Sequence, residues 1–264
     1  MVGKLDFEVK VIVEAAQALA DRTTPNDELK AMFQIPLLEG ARMENALMQF
    51  LDREDLALHH AGLFVRIRAF DSEDRLQLTY KKRFDVDGND FAGALQQANA
   101  DDFGDDYEAQ IEWGLHQKVL TISRKKRGPG LDGSLELPGT KRSRTIAIDE
   151  LPSKFNDLFP GGVEDVLKES GVYGPVEGVR WTGKLFDDPD VDPDDNKVSV
   201  EIWQIKRTPD TPPEPFVEVS IKRKDPDSAQ AAQDELLRRI PADWISEKQS
   251  NKTPKVMKSH PPMD

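Results

Sequence analysis

Charged side chains alternate along the first predicted strand, over residues 5–13, in a pattern that could bind a cation and an anion together. Successive side chains of a β-strand point to opposite faces, so Asp6, Glu8 and Lys10 share one face and apolar residues occupy the other. Carboxylate oxygens bind metal ions, and an ammonium group binds anions. Alternating charges also occur on solvated sheet faces, so the remaining strands have to decide between a cavity and a surface.

A predicted hairpin places three cations on its polar side. Arg66 and Arg68 share one face of the strand over residues 63–70, and the strand over residues 75–81 returns with Lys81 on its polar face. Guanidinium and ammonium groups are the partners that suit phosphate oxygens. Cross-strand ion pairs would be the purely structural use of the same charges.

Two strands predicted near the carboxyl end are also charged on one face. Arg180 and Lys184 share a face of the strand over residues 178–184, and Glu218 lies on the polar face of the strand over residues 215–222. Charged faces on at least six strands indicate a lined cavity. Such a cavity would bind a ligand, because an ordinary core is apolar.

Eight or nine predicted strands, mostly joined as hairpins, alternate irregularly with helices. They include a short strand over residues 141–148. This order predicts an α+β fold in which a closed antiparallel barrel of about eight strands forms a charged tunnel, with helices packed outside. Residues 1–247 are predicted to form this single domain. Residues 248–264 are polar and are predicted to be a disordered tail.

The composition excludes several classes of protein. The 264 residues include no cysteine, which rules out disulfides, thiolate zinc sites and a cysteine nucleophile. No apolar run approaches the ~20 residues that span a bilayer, and the start lacks a signal-peptide pattern, so a cytoplasmic location is expected. The formal net charge of -13 would repel nucleic acid. Basic runs at residues 81–83, 124–127 and 141–144 are either solvated segments or sites that collect phosphates.

Three motifs, in order, resemble those of the CYTH superfamily, also called the triphosphate tunnel metalloenzymes. Asp6, Glu8 and Lys10 are similar to the Glu-x-Glu-x-Lys strand of that family. Residues 62–68 are similar to its Gly-Leu-x-Leu-Arg-x-Arg strand, and residues 78–81 to its Leu-Thr-x-Lys strand. Later positions that resemble its basic and acidic sites are Arg180, Lys184, Glu201 and Glu218.

The resemblance implies that a small triphosphate compound is bound in the tunnel and hydrolysed with Mg²⁺ or Mn²⁺. It implies that Glu8 and Lys10 are catalytic. The metal ligands that it implies are Asp6, Glu8, Glu201 and Glu218. The triphosphate ligands that it implies are Lys10, Arg66, Arg68, Lys81, Arg180 and Lys184. Neither a membrane nor a nucleic acid is expected as a partner.

Departures from the family pattern leave alternatives open. Asp6 is one methylene shorter than the usual Glu, Ser220 stands where a closing carboxylate is common, and residues 108–112 match the acidic strand only in part. The alternatives are a phosphate- or nucleotide-binding module with weak catalysis and an adenylate cyclase of the class IV type. A calcium loop starting at Asp190 is a competing interpretation, but Asp195 stands where such a loop needs glycine.

Overall fold

A computed structural model describes residues 5–36, 43–99, 102–186, 192–206, 208–249, 252–260 and 262 of the protein. The strands of this part are β1 Asp6–Val13, β2 Met43–Asp52, β3 Leu63–Phe70, β4 Arg75–Asp85, β5 Glu108–Trp113, β6 Lys118–Gly130, β7 Gly171–Lys184, β8 Lys197–Ile205 and β9 Glu214–Arg223. They close into a barrel in the spatial order β1-β5-β6-β4-β3-β2-β7-β8-β9. The predicted closed barrel is confirmed.

One pair of neighbouring strands differs from the predicted antiparallel arrangement. β1 runs parallel to β5, and Glu8 lies opposite Glu112 in their register. Parallel neighbours need a long crossover connection, which here consists of β2, β3 and β4. The barrel is therefore mixed, and the parallel pair brings two carboxylates to adjacent positions on its inner face.

Helices cover the barrel wall on its apolar outer side, except for the last one, which packs into one end of the barrel. They are α1 Ala15–Ala18, α2 Asp27–Met32, α3 Ala57–His60, α4 Phe91–Gln97, α5 Thr140–Asp149, α6 Ser153–Asn156, α7 Val163–Lys168, α8 Pro193–Asn196, α9 Pro226–Arg239 and α10 Lys252–Ser259, with a 3₁₀ helix at Ala242–Trp244. Val9 and Val219 pack in one buried cluster with Leu236 of α9. Val65 packs in another with Ile146 of α5. Within the described ranges, none of the helices has both the length and the apolar character needed to cross a membrane.

The strand predicted over residues 141–148 is wrong, because this segment is the helix α5. Its buried residues are Ser143, Ile146 and Ala147, which recur at intervals of three and four and so form one helical face. The hydroxyl of Tyr80 on β4 donates a hydrogen bond of 2.7 Å to the carbonyl oxygen of Ala147. Packing on the barrel wall therefore decides the conformation of this segment.

The carboxyl end also differs from the predicted disordered tail. Residues 252–259 form the helix α10, and Val256 and Met257 of this helix are buried. They pack with Ile12, Trp203 and Phe216, which lie on the inward faces of their strands. This polar segment is ordered because the consecutive apolar side chains of Val256 and Met257 fill the end of the barrel.

The acidic residues that suggested a calcium loop have other contacts in the part of the chain that the structure describes. Asp190 lies outside the described residues. The side chain of Asp192 caps α8, since it accepts a hydrogen bond of 2.9 Å from the backbone of Asp194. Glu201, the proposed last ligand of that loop, lies on β8 and faces the barrel lumen.

Candidate functional site in the barrel lumen

The inward faces of the strands enclose a cavity of about 280 Å³. The predicted site residues that line it are Glu8, Lys10, Arg66, Arg68, Lys81, Arg180, Glu201 and Glu218. Asp6 and Lys184 do not line it, because they are exposed at the first residue of β1 and the last residue of β7. Strand alternation therefore brings most of the predicted residues into one space, while the roles of Asp6 and Lys184 stay predictions.

The cavity has an open mouth and a blocked base. Glu108 and Lys125, with 60% and 43% of their side chains exposed, line the mouth. At the base, apolar lumen residues such as Trp203 are buried against α10. A crevice of about 30 Å³, lined in part by Gln117 and Gln249, reaches the charged middle from behind. This crevice is much smaller than the main cavity of about 280 Å³, so the main cavity is where a phosphate chain would fit.

Glu112 is the acidic centre of the cavity wall. Its carboxylate is 2.8 Å from Lys81 Nζ, 3.4 Å from Arg83 Nη2 and 3.6 Å from Lys10 Nζ. Burial alone would raise the pKa of Glu112, but Lys10, Lys81 and Arg83 hold it well below its ordinary value. One ionised carboxylate therefore balances part of a cluster of three cations, and the cluster keeps a net positive charge.

Lys10 also contacts Glu8, whose carboxylate lies 3.0 Å from its ammonium group. Burial opposes the charge of Lys10, yet Glu112 and Glu8 raise its pKa above the ordinary value. Burial likewise opposes the charge of Glu8, and Lys10 lowers its pKa. At neutral pH the pair is thus an ammonium beside a carboxylate, so Lys10 can donate hydrogen bonds and Glu8 can accept them.

Arg66 and Arg68 differ from the other cations, because no carboxylate oxygen of the described residues lies within 4.0 Å of either guanidinium. Arg66 contacts only neutral groups, the sulfur of Met48 at 3.9 Å and the hydroxyl of Thr79 at 3.3 Å. Arg68 donates to the side-chain oxygen of Gln77. The Nε atoms of both arginines are buried and have no hydrogen-bond partner in the described part of the chain.

Burial dominates the electrostatics of these two arginines. It lowers the pKa of Arg66 well below its ordinary value and that of Arg68 to about 10. A guanidinium group is not deprotonated in proteins, so both side chains are cations. Two adjacent cations that lack anionic partners in a low-dielectric cavity are costly to the free protein, and an anion bound between them would compensate that cost.

The opposite wall of the cavity carries a balanced network. Arg180 donates to Glu201 Oε1 from Nε at 3.0 Å and from Nη2 at 2.7 Å, and to Glu44 Oε2 from Nη1 at 3.1 Å. Burial alone would lower the pKa of Arg180, but Glu201 and Glu44 raise it. This arginine is therefore held in place by carboxylates and presents less free positive charge than Arg66.

Two carboxylates of this wall converge on a single cation. Glu201 of β8 and Glu218 of β9 are directly opposite in the strand register. The ammonium group of Lys252, from α10, contacts Glu201 Oε2 and lies 3.1 Å from Glu218 Oε1. Two oxygen ligands that meet at one point suit a hard divalent cation.

Mg²⁺ usually takes only one or two carboxylates, with water and phosphate oxygens as its other ligands. No cluster of three acidic or histidine side chains capable of holding a metal occurs among the described residues. The donor set thus fits Mg²⁺ or Mn²⁺ that arrives with a phosphate ligand better than a metal held by protein alone.

Several lumen residues were not among the predicted site residues. Arg83 lies two positions beyond Lys81 on β4 and Glu112 two beyond Gln110 on β5, so strand alternation contained the signal for both. Glu44, on β2, had no such marker. The position of Lys252 in the cavity could not be predicted from a local pattern, because it depends on the packing of α10, which is distant in sequence from the other lining residues. The basic run at residues 81–83 is divided, since Lys82 is not among the lining residues.

We expect the affinity of the cavity for an anion to fall as the pH rises past about 8. Burial lowers the pKa of Lys81 to about 8 in the free protein, although Glu112 raises it. An anion that binds the ammonium form binds fully below this pKa and loses up to about tenfold in affinity for each pH unit above it. Calorimetry with tripolyphosphate, without metal, would measure this decline.

Lys81→Arg is the matched control for this pH dependence. The guanidinium stays charged across the same range, so changes in the ionisation of tripolyphosphate itself appear equally in both proteins. The decline above pH 8 should be steeper in the wild type than in the variant. Superimposable profiles would contradict the assigned role of Lys81.

Comparison with known proteins gives structural relatives only. No family model matches the sequence, and no curated protein matches it. HpAC1 from Hippeastrum, a proposed adenylyl cyclase described as having a dominant triphosphatase activity, is similar with a TM-score of 0.54 at 12% identity, covering 94% of this chain and 92% of that chain. A proposed adenylate cyclase from Bacillus halodurans is similar with a TM-score of 0.50 at 12% identity, covering 95% of this chain and 96% of that chain. The chain thus shares the fold of these proteins, as its resemblance to the CYTH superfamily predicted.

Proposed function

We propose that this protein binds the triphosphate group of a small molecule in the barrel lumen and hydrolyses one of its phosphoanhydride bonds. The observation that carries the proposal is the pair of guanidinium groups of Arg66 and Arg68, which have no carboxylate partner among the described residues. Each phosphate group offers negative charge and several strong acceptor oxygens. A triphosphate would therefore supply the missing partners of both arginines in one binding event.

The other cations extend this site along the cavity wall. Lys10, Lys81 and Arg180 would contact further oxygens of the same phosphate chain, because all three line the cavity that Arg66 and Arg68 line. Preorganised cations stabilise the charge that develops on the bridging oxygen when a phosphoanhydride bond breaks. Lys10 stays protonated and would donate a hydrogen bond to that leaving oxygen.

Hydrolysis also needs a water molecule that is oriented and loses a proton. The oxygen of this water forms a bond to the phosphorus atom as the bond from phosphorus to the bridging oxygen breaks, and the electron pair of the broken bond stays on the leaving phosphate. The proton of the water passes to a phosphate oxygen or to solvent. Glu8, ionised and at the cavity wall, would accept the hydrogen bond that orients the water. Glu201 and Glu218 would hold the divalent ion, which supplies Lewis-acid stabilisation of phosphate oxygens when bound.

The comparisons support this proposal at the level of the fold. One relative with a TM-score above 0.5 is described as having a dominant triphosphatase activity and as a proposed adenylyl cyclase. At 12% identity the activity does not transfer with the fold. The proposal therefore rests on the charged cavity of this chain, and the activity described for the relative is consistent with it.

A binding module without turnover is the second candidate. It is favoured by the observation that Glu8, Glu112, Glu201 and Glu218 each already contact a lysine or arginine. A carboxylate engaged by a cation is a weaker ligand for a metal. Such a protein would bind triphosphate through the same arginines and release no phosphate.

Phosphate release from tripolyphosphate, ATP and thiamine triphosphate, with Mg²⁺ or Mn²⁺, separates the two candidates. We expect metal-dependent release from at least one of these compounds. Cyclic AMP formed from ATP would instead identify a cyclase. Tight binding of tripolyphosphate without turnover of any of the three compounds would establish the binding module and end the hydrolase proposal.

Glu8→Gln tests the assignment of the water-orienting group. We expect turnover of the best substrate to fall by about a hundredfold, the lower range for loss of an acid–base group. Metal-free affinity for tripolyphosphate should not fall, because the substitution removes a negative charge from the cavity. Glu164→Gln, on α7 and with 45% of its side chain exposed, is the control and should leave both quantities unchanged. Unaltered turnover in Glu8→Gln would exclude this role.

A further inference from the structure

The helix α10 inserts one charged side chain among the lumen carboxylates. Val256 and Met257 anchor the helix in the apolar base of the barrel, and its first residues, Lys252 and Thr253, line the cavity. Lys255, one helical turn further on, points elsewhere and lies 4.3 Å from the ring centre of Phe216. Lys252 is therefore the lysine of this helix that the fold delivers to the site.

The position of the Lys252 ammonium is set by three groups. It contacts Glu201 Oε2, lies 3.1 Å from Glu218 Oε1 and is 5.0 Å from the ring centre of Trp203. The indole nitrogen of Trp203 donates to the same Glu201 oxygen at 3.0 Å. The other oxygen of Glu201 is taken by Arg180. Lys252 thus occupies the point where Glu201 Oε2 and Glu218 Oε1 converge.

We propose that Lys252 is a resident cation that competes with divalent metal ions for the Glu201–Glu218 pair and thereby sets the metal affinity of the site. The inference rests on the proposed function only in assigning a divalent ion to these two carboxylates. An ammonium group and a metal ion cannot occupy the same point between the two oxygens. A metal binds only after the ammonium leaves, and rotation about the four-carbon lysine stem is enough for that.

This arrangement also explains how two acidic residues tolerate direct opposition across β8 and β9. Like charges directly opposite on neighbouring strands destabilise a sheet. Lys252 removes that repulsion in the metal-free protein, and Lys252 and Arg180 together lower the pKa of Glu201 against the effect of burial. Glu201 therefore stays ionised, and the cation that keeps it so is also the competitor of a metal ion at this pair.

Lys252→Met is the test, because methionine keeps an unbranched apolar stem against Trp203 and removes the charge. The measurement is Mn²⁺ affinity, from the electron paramagnetic resonance signal of free Mn²⁺, with no phosphate compound present. We expect Lys252→Met to bind Mn²⁺ about tenfold to a hundredfold more tightly than the wild type, the common range for coupling between two ligands. Adding Glu201→Gln to Lys252→Met should abolish the gain.

Lys255→Met is the matched control on the same helix and should leave Mn²⁺ affinity at the wild-type value. Lys252→Arg, which keeps the positive charge, should also bind Mn²⁺ weakly. If Lys252→Met fails to fold, Lys252→Gln replaces it, because the amide still donates a hydrogen bond to the carboxylates. Unchanged or weaker Mn²⁺ binding in a folded, uncharged variant would overturn the proposal.

Metal-free binding of tripolyphosphate to the wild type separates this inference from the proposed function. If tripolyphosphate does not bind, the proposed function fails, and the Mn²⁺ comparison still decides the role of Lys252. If tripolyphosphate binds and the charge-neutral Lys252 variants show no gain in Mn²⁺ affinity, the inference fails and the triphosphate site stands.

Discussion

Arg66→Met should bind tripolyphosphate roughly 30- to 4,000-fold more weakly than the wild type, which corresponds to the about 2–5 kcal/mol expected when one partner of a buried charge pair is truncated. The same variant should be more resistant to unfolding. Among the described residues, Arg66 makes polar contacts with the sulfur of Met48 and the hydroxyl of Thr79 and has no carboxylate oxygen within 4.0 Å, so the free protein gains little from its charge. Under the proposed function, Arg66 therefore lowers the stability of the free protein and strengthens the binding of a triphosphate.

The gain in stability is expected to be about 1 kcal/mol or more, since replacing buried charge by an apolar side chain of similar length removes a desolvation cost. Thermal unfolding and metal-free calorimetry measure the two effects separately. Arg238→Met, at an exposed position on α9, is the control and should change neither. Full affinity in Arg66→Met would contradict the proposed phosphate site. A variant that loses stability together with affinity would show that Arg66 supports the fold.

Glu112→Gln should lower the free energy of unfolding by about 3–5 kcal/mol, the range for removing one partner of a buried ion pair. Glu112 is 4% exposed and contacts Lys10, Lys81 and Arg83. Without its charge these three cations repel one another, in a cavity that already holds Arg66 and Arg68. Denaturant titration would give the loss in free energy.

Tripolyphosphate should restore part of this loss. A ligand that binds only the folded protein stabilises it in proportion to its affinity, and Glu112→Gln leaves more uncompensated positive charge for an anion to neutralise. The rise in unfolding free energy on adding tripolyphosphate should therefore be larger in Glu112→Gln than in the wild type. Equal rises would show that the three cations do not form part of the anion site.

Glu108→Gln, on the same strand, is the matched control for Glu112→Gln. Glu108 pairs with Lys125 at the exposed mouth of the cavity, and exposed ion pairs contribute about 0–1 kcal/mol. The free energy of unfolding of Glu108→Gln should therefore fall by no more than about 1 kcal/mol. A Glu112→Gln protein as stable as Glu108→Gln would contradict the assignment of Glu112 as the acidic centre of the lumen.

The sequence predicted the barrel and most of its lining because both depend on the two-residue period of a strand. Lys10, Arg66 and Arg68 are inward-facing by the same rule that makes Val9 and Val65 outward-facing. In a closed sheet, charged side chains on the inner face of the strands must line the lumen. The spacing of residues along each strand was therefore enough to predict which side chains face the lumen.

The remaining features depend on contacts between distant parts of the chain. The parallel pairing of β1 with β5 and the helical form of α5 follow from how the sheet closes and what packs on its wall. Lys252 is separated by about fifty residues from Glu201, and no periodic pattern links them. Ion pairing inside the cavity also escapes sequence reasoning, which placed Glu201 and Glu218 as metal ligands without the lysine between them.

The packing of α10 across one end of the barrel sets the direction from which a ligand approaches. Among the described residues, Glu108 and Lys125 line the open end of the lumen, and Val256 and Met257 fill the opposite end. Under the proposed hydrolysis, we therefore expect a long polyphosphate to insert its terminus and to be shortened from that end.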